Sequence, residues 1–94
     1  MIVSFRDREA ERIWNGERSR RLPPWIQRVA LRKLRLLEFA ISLRDLQHPP
    51  GNRLEALSGD RAGQHSLRIN DQWRVCFRWT ERGPIDVEIV DYHS

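Results

Sequence analysis

The chain has 94 residues, of which 39% are hydrophobic and 32% are charged. This length is enough for about one domain, so a large multi-domain enzyme is excluded and we expect residues 1–94 to form a single domain. The 17 basic residues, which are sixteen Arg and Lys33, outnumber the 13 acidic ones and give a net charge of +4. This excess favours a polyanionic partner such as nucleic acid.

The N-terminal half predicts one short strand and two helices. Residues 2–5 are β-branched and aromatic, which indicates a strand. Helix formers with early acidic residues predict a helix over residues 7–14. After a basic loop over residues 17–22, Pro23-Pro24 marks the start of a second helix, and apolar residues keep helical spacing from position 25 to about position 45.

The C-terminal half predicts a sheet. The run from His48 to Asn52 stops the second helix, and the stretch up to Gln64 is predicted to be a loop. Apolar residues then alternate with polar ones in three segments, over residues 66–70, 73–80 and 85–90, which is typical of an antiparallel meander. The order of elements therefore predicts a two-layer α+β fold, with both helices on one face of a small antiparallel sheet.

The positive charge is concentrated in the helical half. Residues 1–35 carry ten basic and four acidic side chains, a charge of +6, whereas residues 36–94 carry seven basic and nine acidic ones, a charge of −2. This pattern is compatible with a solvated helix face or with a surface for a phosphate backbone. Arg18, Arg20 and Arg21 lie in a loop in which no acidic residues alternate with them, so they are the best candidates for RNA binding.

Three further arginines share the polar side of the predicted strands. Arg68, Arg74 and Arg78 alternate with the apolar residues and can form one basic face for RNA. Asp86 and Glu88 have the same parity on the third strand, so cross-strand ion pairing is the alternative interpretation.

Several other classes of site are not supported by the sequence. Cys76 is the one cysteine, which excludes an internal disulfide, and no His or Cys pair has the spacing of a metal site. There is no phosphate-binding Gly-rich loop, so we expect no metal and no cofactor. The N-terminal apolar run is too short for a signal peptide and no run is long enough to span a membrane, so we expect a soluble, cytoplasmic protein.

The sequence ends in a cluster of residues whose types are common in catalytic sites. Asp91, Tyr92 and His93 directly follow the last predicted strand. They are either a chain end without function or a site at the rim of the basic face. In the second case His93 moves a proton near neutral pH, Tyr92 stacks on a base, and Asp91 orients an imidazole or a guanidinium.

These residues belong to a wider pattern. The motifs G-D-R-x-G over 59–63, N-x-Q-W-R over 70–74 and a terminal D-Y-H over 91–93 occur together and in order, with residues 2–5 and 49–54 adding to the match. In this combination the chain resembles the HigB branch of the RelE/ParE toxin superfamily, which are toxins of bacterial type II toxin-antitoxin systems.

The resemblance implies a fold and an activity. It implies a RelE-like, microbial ribonuclease-type fold that enters the ribosomal A site and cuts mRNA there, so that growth stops. It also implies a helix-turn-helix antitoxin, HigA-like, which inhibits the toxin and with it represses their operon by binding operator DNA. By position, Arg74 matches the arginine that supports the scissile phosphate, and Asp91, Tyr92 and His93 match the catalytic set.

One position departs from the family pattern. Some ribonuclease members carry a His and a Lys where this chain has Glu55 and Ser58. Glu55 is therefore either a second acid/base group or an exposed turn residue. The rival to an endonuclease is a growth inhibitor without catalysis, which binds the ribosome or, like ParE, gyrase.

Overall fold

The computed structural model describes residues 1–92, which form two α-helices and one four-stranded antiparallel sheet. The elements in chain order are α1 (Arg8–Trp14), α2 (Pro24–Phe39), β1 (Glu55–Ala56), β2 (His65–Arg68), β3 (Trp73–Thr80) and β4 (Gly83–Asp91), with 3₁₀ turns at Leu43–Gln47, Pro50–Asn52 and Gly59–Arg61. The predicted α+β class, with two N-terminal helices on a small antiparallel sheet, is confirmed.

Helix α1 starts at an aspartate cap. The Asp7 carboxylate accepts a hydrogen bond from the Glu9 backbone N–H at 2.9 Å, which satisfies a donor that the first helical turn leaves free. Its second oxygen accepts the Ile89 N–H at 3.3 Å. One side chain therefore caps α1 and joins it to β4.

Helix α2 is shorter than its apolar pattern predicts. It ends at Phe39, so the predicted extension to about Asp45 is wrong. The Asp45 carboxylate accepts the backbone N–H groups of Ile41 and Ser42 at 2.9 and 3.1 Å and closes a capping box that starts the 3₁₀ turn Leu43–Gln47. These side-chain bonds compete with the helical hydrogen bonds of the backbone, so the helix does not continue past Phe39.

The sheet has the order β1-β2-β3-β4, with every neighbour antiparallel. The predicted loop before Gln64 is wrong for Glu55 and Ala56, which pair with Ser66 and His65. A strand of two residues is too short to show alternation, so only the pairing partner reveals it.

The N-terminal segment adds to the opposite edge of the sheet. The prediction of a regular strand over residues 2–5 is wrong, since a single parallel bridge joins Phe5 to Val87, beside a hydrogen bond of 3.0 Å from the Arg6 N–H to the Val87 carbonyl. Asp86 has a φ of 54° and the β3–β4 register shifts next to it. Such a bulge interrupts the regular pairing that a longer strand needs.

The two faces of the sheet have different roles. Val75 and Phe77 lie on the face that packs against α2, and both are completely buried in the core. The opposite face is called here the arginine face; it carries Ser66, Arg68, Arg74, Cys76, Arg78 and Glu88. The register places Arg68 opposite Arg74, and both Ser66 and Glu88 opposite Cys76.

Candidate functional site

Arg74 lies at the centre of the arginine face and is held on three sides. One guanidinium nitrogen donates to the Ser66 hydroxyl at 3.3 Å, and the other lies 3.5 Å from a Glu55 carboxylate oxygen. Its Cζ lies 5.7 Å from the centroid of the Tyr92 ring. Only 16% of the Arg74 side chain is exposed, so this cation is fixed before any ligand arrives.

Tyr92 is anchored to the same face at both its ends. Its backbone N–H donates to the Gln72 carbonyl at 2.6 Å, and its hydroxyl lies 3.7 Å from the Cys76 sulfur. Burial and the contact with Cys76 raise the pKa of Tyr92 to about 12. The hydroxyl therefore stays protonated at neutral pH, which suits a stacking platform better than a proton carrier.

Asp91 is the last residue of β4 and lies opposite Trp73. Its carboxylate accepts a hydrogen bond of 3.1 Å from the Gln72 side-chain amide. The third member of the predicted C-terminal set, His93, lies outside the described residues. Within the described part of the set, Tyr92 contacts Arg74, and Asp91 precedes it at the end of β4, where it is bonded to Gln72.

Glu55 reaches this site through strand β1. Its pairing with Ser66 brings its carboxylate to Arg74, although 52% of the Glu55 side chain remains exposed. A carboxylate at this place can act as an acid/base group, or it can neutralise Arg74 until a phosphate displaces it. Both possibilities depend on the 3.5 Å contact.

The other two strand arginines also lie on this face but have partners from loops. Arg68 forms an ion pair with Asp71, and Arg78 donates to the Ala62 carbonyl at 3.4 Å. Glu88 does not pair with the strand arginines, and within residues 1–92 Asp86 forms no ion pair. The predicted cross-strand partners are therefore wrong, because the acids that pair with Arg68 and Arg74 come from the β2–β3 connection and from β1.

Sequence reasoning assigned no role to Arg61, which also reaches this face. Arg61 donates to the Glu88 carboxylate at 3.2 Å and to the Gln64 amide oxygen at 3.1 Å, and the Glu88 bond raises its pKa. Glu88 also lies 3.8 Å from Arg6. In the sequence, the place of Arg61 in the G-D-R-x-G motif is the feature that could have identified it.

Cys76 was likewise not assigned a role. Its side chain is completely buried, and burial raises the pKa of its thiol. The sequence pattern puts Cys76 on the polar side of β3, but the contact with Tyr92 depends on where the chain lies after β4 and has no sequence signal.

The predicted loop arginines lie apart from Arg74. Arg18 and Arg20 line one cleft between α1 and α2, with Ser19 among its other residues. Arg21 lines a second cleft, which Glu88 also borders. The structure therefore does not gather the three loop arginines around Arg74, and only Arg21 approaches the arginine face, through Glu88.

Two classes of site receive no support within the described part of the chain. Among residues 1–92, no three His, Cys, Asp or Glu side chains come together in a group that could hold a metal ion. Neither described helix combines the length and apolar character that crossing a bilayer requires.

Comparison with known proteins identifies the class. Residues 3–93 match the family model of the RelE-like toxin of type II toxin-antitoxin system HigB. The chain is 38% identical over 82 residues to Toxin HigB-1 of Vibrio cholerae, covering 86% of each protein. It is also 30% identical over 91 residues to an uncharacterised protein of Haemophilus influenzae, covering 96% of this chain and 89% of that protein.

The chain belongs to the HigB-like toxins, the RelE-like toxins of type II toxin-antitoxin systems. Membership of such a system implies an antitoxin as its partner.

Proposed function

We propose that this toxin is a ribosome-dependent endoribonuclease, which cleaves mRNA in the cytoplasm without a metal ion and so inhibits translation and growth. The observation that carries the proposal is the fixed Arg74, whose guanidinium is held by Ser66, Glu55 and the Tyr92 ring. A cation fixed in advance stabilises the charge that develops on a phosphate during attack by the 2′-OH.

The surrounding residues have complementary roles in this proposal. Tyr92 offers its ring for stacking on a base, because its hydroxyl remains protonated. Asp91 orients the chain end, and His93 supplies the acid or base, which is the role that its place in the D-Y-H motif implies. Arg68 and Arg78 extend the arginine face for RNA, and Arg18, Arg20 and Arg21 are the more distant RNA contacts.

The ribosome is part of the proposed mechanism. The site contains few groups able to transfer a proton, so precise positioning of the mRNA has to supply a large part of the rate, and binding in the ribosomal A site provides it. The proposed antitoxin is a HigA-like helix-turn-helix protein, which also carries the complex to operator DNA.

Primer extension on mRNA isolated after induction tests the endonuclease. Wild-type protein is expected to give discrete breaks within translated codons, and none in a transcript whose start codon is destroyed. Arg74→Ala and His93→Ala should lose the breaks, while Arg44→Ala, an exposed arginine on the 3₁₀ turn Leu43–Gln47, should keep them.

The outcome also distinguishes the rival class. Growth arrest by the wild-type protein without breaks in mRNA would identify a non-catalytic inhibitor that binds the ribosome or gyrase. Toxicity that survives removal of residues 91–94 would exclude the proposed chemistry.

A further inference from the structure

The exposed side of helix α2 carries a regular stripe that the RNA site does not use. Its members are Trp25, Arg28, Arg32, Arg35 and Phe39, all exposed, and they follow one another at intervals of three, four, three and four residues. This spacing lines residues along one side of a helix. The stripe, here called the outer stripe, thus has an aromatic residue at each end and three arginines between them.

The three arginines of the outer stripe have no acidic partner within residues 1–92, where all the ion pairs involve other arginines. The one acid of helix α2 is Glu38, and its carboxylate accepts the Ile2 backbone N–H at 2.7 Å. Like charges four residues apart on a helix repel each other. An acidic partner would remove this repulsion.

Phe39 stands between two clefts at the C-terminal end of the stripe. The first, of about 350 Å³, is lined by Leu36, Ala40 and Leu46, with Arg32 and Arg35 also bordering it. Its walls are mostly apolar, and its charged border consists of these two unpaired cations and of Asp45, whose carboxylate is already bonded to the Ile41 and Ser42 backbone N–H groups. It therefore fits an apolar side chain that is flanked by carboxylates.

The second cleft, of about 360 Å³, lies on the other side of Phe39 and has both apolar and charged walls, the charged ones coming from Glu38, Glu81 and Arg82. Met1, Ile41 and Trp79 are among its lining residues. Met1, Phe39 and Ile41 are 71%, 79% and 92% exposed, which is unusual for large apolar side chains that lie next to one another. Such a patch on a charged surface is typical of a protein interface.

We propose that the outer stripe and its two clefts are the docking surface for the antitoxin, which binds here through an amphipathic acidic segment. Carboxylates of that segment pair with Arg28, Arg32 and Arg35, and its apolar side chains enter the first cleft and cover the exposed Phe39 and Ile41. That such a partner exists follows from family membership, and its acidic, amphipathic character is inferred from the surface.

Charge and apolar area argue against the other occupants. A second copy docked symmetrically would bring each Arg32 and Arg35 against the same residues of its twin, which costs free energy. RNA would satisfy the arginines, but Leu36, Ala40 and Ile41 offer nothing to phosphates. An acidic, apolar protein segment uses both parts of the surface.

The outer stripe is separate from the RNA site. Helix α2 packs on the Val75 and Phe77 face of the sheet, whereas Arg74 lies on the arginine face. Variants of the stripe can therefore be tested for antitoxin binding while cleavage is measured independently.

The experiment measures binding of the antitoxin directly. The antitoxin is the product of the reading frame next to the toxin gene, first shown to restore growth when it is produced with the wild-type toxin. The Kd is then measured by biolayer interferometry for the wild type, for Arg32→Glu/Arg35→Glu and for Phe39→Ser. The charge-reversal variant should bind at least about 100-fold more weakly, and Phe39→Ser about 10-fold or more.

The matched control is Arg8→Glu/Arg44→Glu, which makes the same change in net charge at two exposed positions that border neither cleft. It should bind within about threefold of the wild type. Far-ultraviolet circular dichroism verifies folding, and Phe39→Ser changes an exposed side chain, so it keeps the test available if the double variant unfolds.

Two results would overturn the proposal: an unchanged Kd for the stripe variants, or an equal loss of affinity in the control. Loss of ribosome binding with unchanged antitoxin binding would instead assign the stripe to RNA. The binding assay needs no nuclease activity, so failure of the proposed endonuclease leaves it valid.

Discussion

Replacing Glu55 by Gln separates the two roles that its position allows. The Glu55 carboxylate lies 3.5 Å from the Arg74 guanidinium, at the place where a negatively charged phosphate is proposed to bind. If Glu55 is a counter-ion, the phosphate has to displace it, and Glu55→Gln should bind RNA more tightly. If Glu55 transfers a proton, the same variant should cleave more slowly.

The expected gain in affinity is modest because Glu55 is half exposed. Two full charges at 3.5 Å attract each other by about 5 kcal/mol at an effective dielectric constant of about 20. With 52% of the Glu55 side chain exposed, solvent screening and side-chain entropy reduce the net value to about 0.5–1 kcal/mol. Removing this competition should therefore lower the Kd for RNA about two- to fivefold.

The assay combines binding with single-turnover cleavage. Fluorescence anisotropy gives the Kd for an RNA with a 2′-deoxy residue at the scissile position, and cleavage is followed on ribosomes programmed with the same codon. Glu81→Gln is the control, since it removes an exposed carboxylate that forms no ion pair within residues 1–92.

We expect tighter binding and no large loss of rate for Glu55→Gln. Loss of an acid/base group typically costs about 100- to 10,000-fold, so a loss of that size at unchanged affinity would refute the counter-ion explanation. An equal gain in affinity for Glu81→Gln would show that the effect of Glu55→Gln comes from the change in net charge and not from the contact with Arg74.

Three other changes test the site and the fold. Because the pKa of Tyr92 is raised to about 12, its hydroxyl is uncharged well beyond neutral pH, and Tyr92→Phe should leave the pH-rate profile between about pH 6 and 9 unchanged. Tyr92→Ala also removes the ring and should weaken RNA binding by about 1–3 kcal/mol per stacked base. Asn52→Ala removes the buried acceptor that lies 2.7 Å from the Lys33 ammonium, so it should lower the free energy of unfolding, measured by urea denaturation, by about 2–3 kcal/mol. Adding Lys33→Met removes the unpaired donor and should restore part of this loss. Leu37→Ala opens a cavity in the core and should cost about 2–5 kcal/mol by the same measurement, while Ile41→Ala, at a side chain 92% exposed, should stay within about 0.5 kcal/mol of the wild type.

The elements that the sequence predicts well are those that carry a long repeat. The alternation over β3 and the apolar spacing over α2 each extend through several residues, and the apolar residues that define them, such as Val75 and Phe77 in β3 and Leu34 in α2, are buried in the core. The start of α1 was also predictable, because Asp7 is a common N-cap residue. Local patterns of this kind need no knowledge of the partner element.

The failures arise where a single contact decides the structure. The end of α2 depends on whether Asp45 binds the backbone of Ile41 and Ser42, and the apolar spacing continues regardless. Strand β1 exists because Glu55 and Ala56 meet β2. Neither event leaves a periodic trace in the sequence.

The candidate site divides in the same way. Strand parity predicts that Arg68, Arg74 and Arg78 share one face, because parity depends only on the pleat of the strands. It cannot predict that Glu55 and Tyr92 meet Arg74, since these residues come from elements nineteen residues before it and eighteen after it. Such contacts are set by the topology of the sheet.

Arg74 and Lys33 show that the two kinds of cation are not interchangeable in this chain of sixteen arginines and one lysine. Arg74 reaches Ser66 and Glu55 through two different guanidinium nitrogens while its Cζ lies over the Tyr92 ring, and a compact ammonium has no such fork of donors. Lys33 has different surroundings: the residue is only 9% exposed, and its Nζ donates a hydrogen bond of 2.7 Å to the Asn52 side-chain oxygen, which joins α2 to the turn Pro50–Asn52. Burial and the neighbouring Arg32 and Arg68 lower the pKa of Lys33, because a desolvated cation beside like charges is less stable than one in water, whereas an arginine at this place would keep its proton.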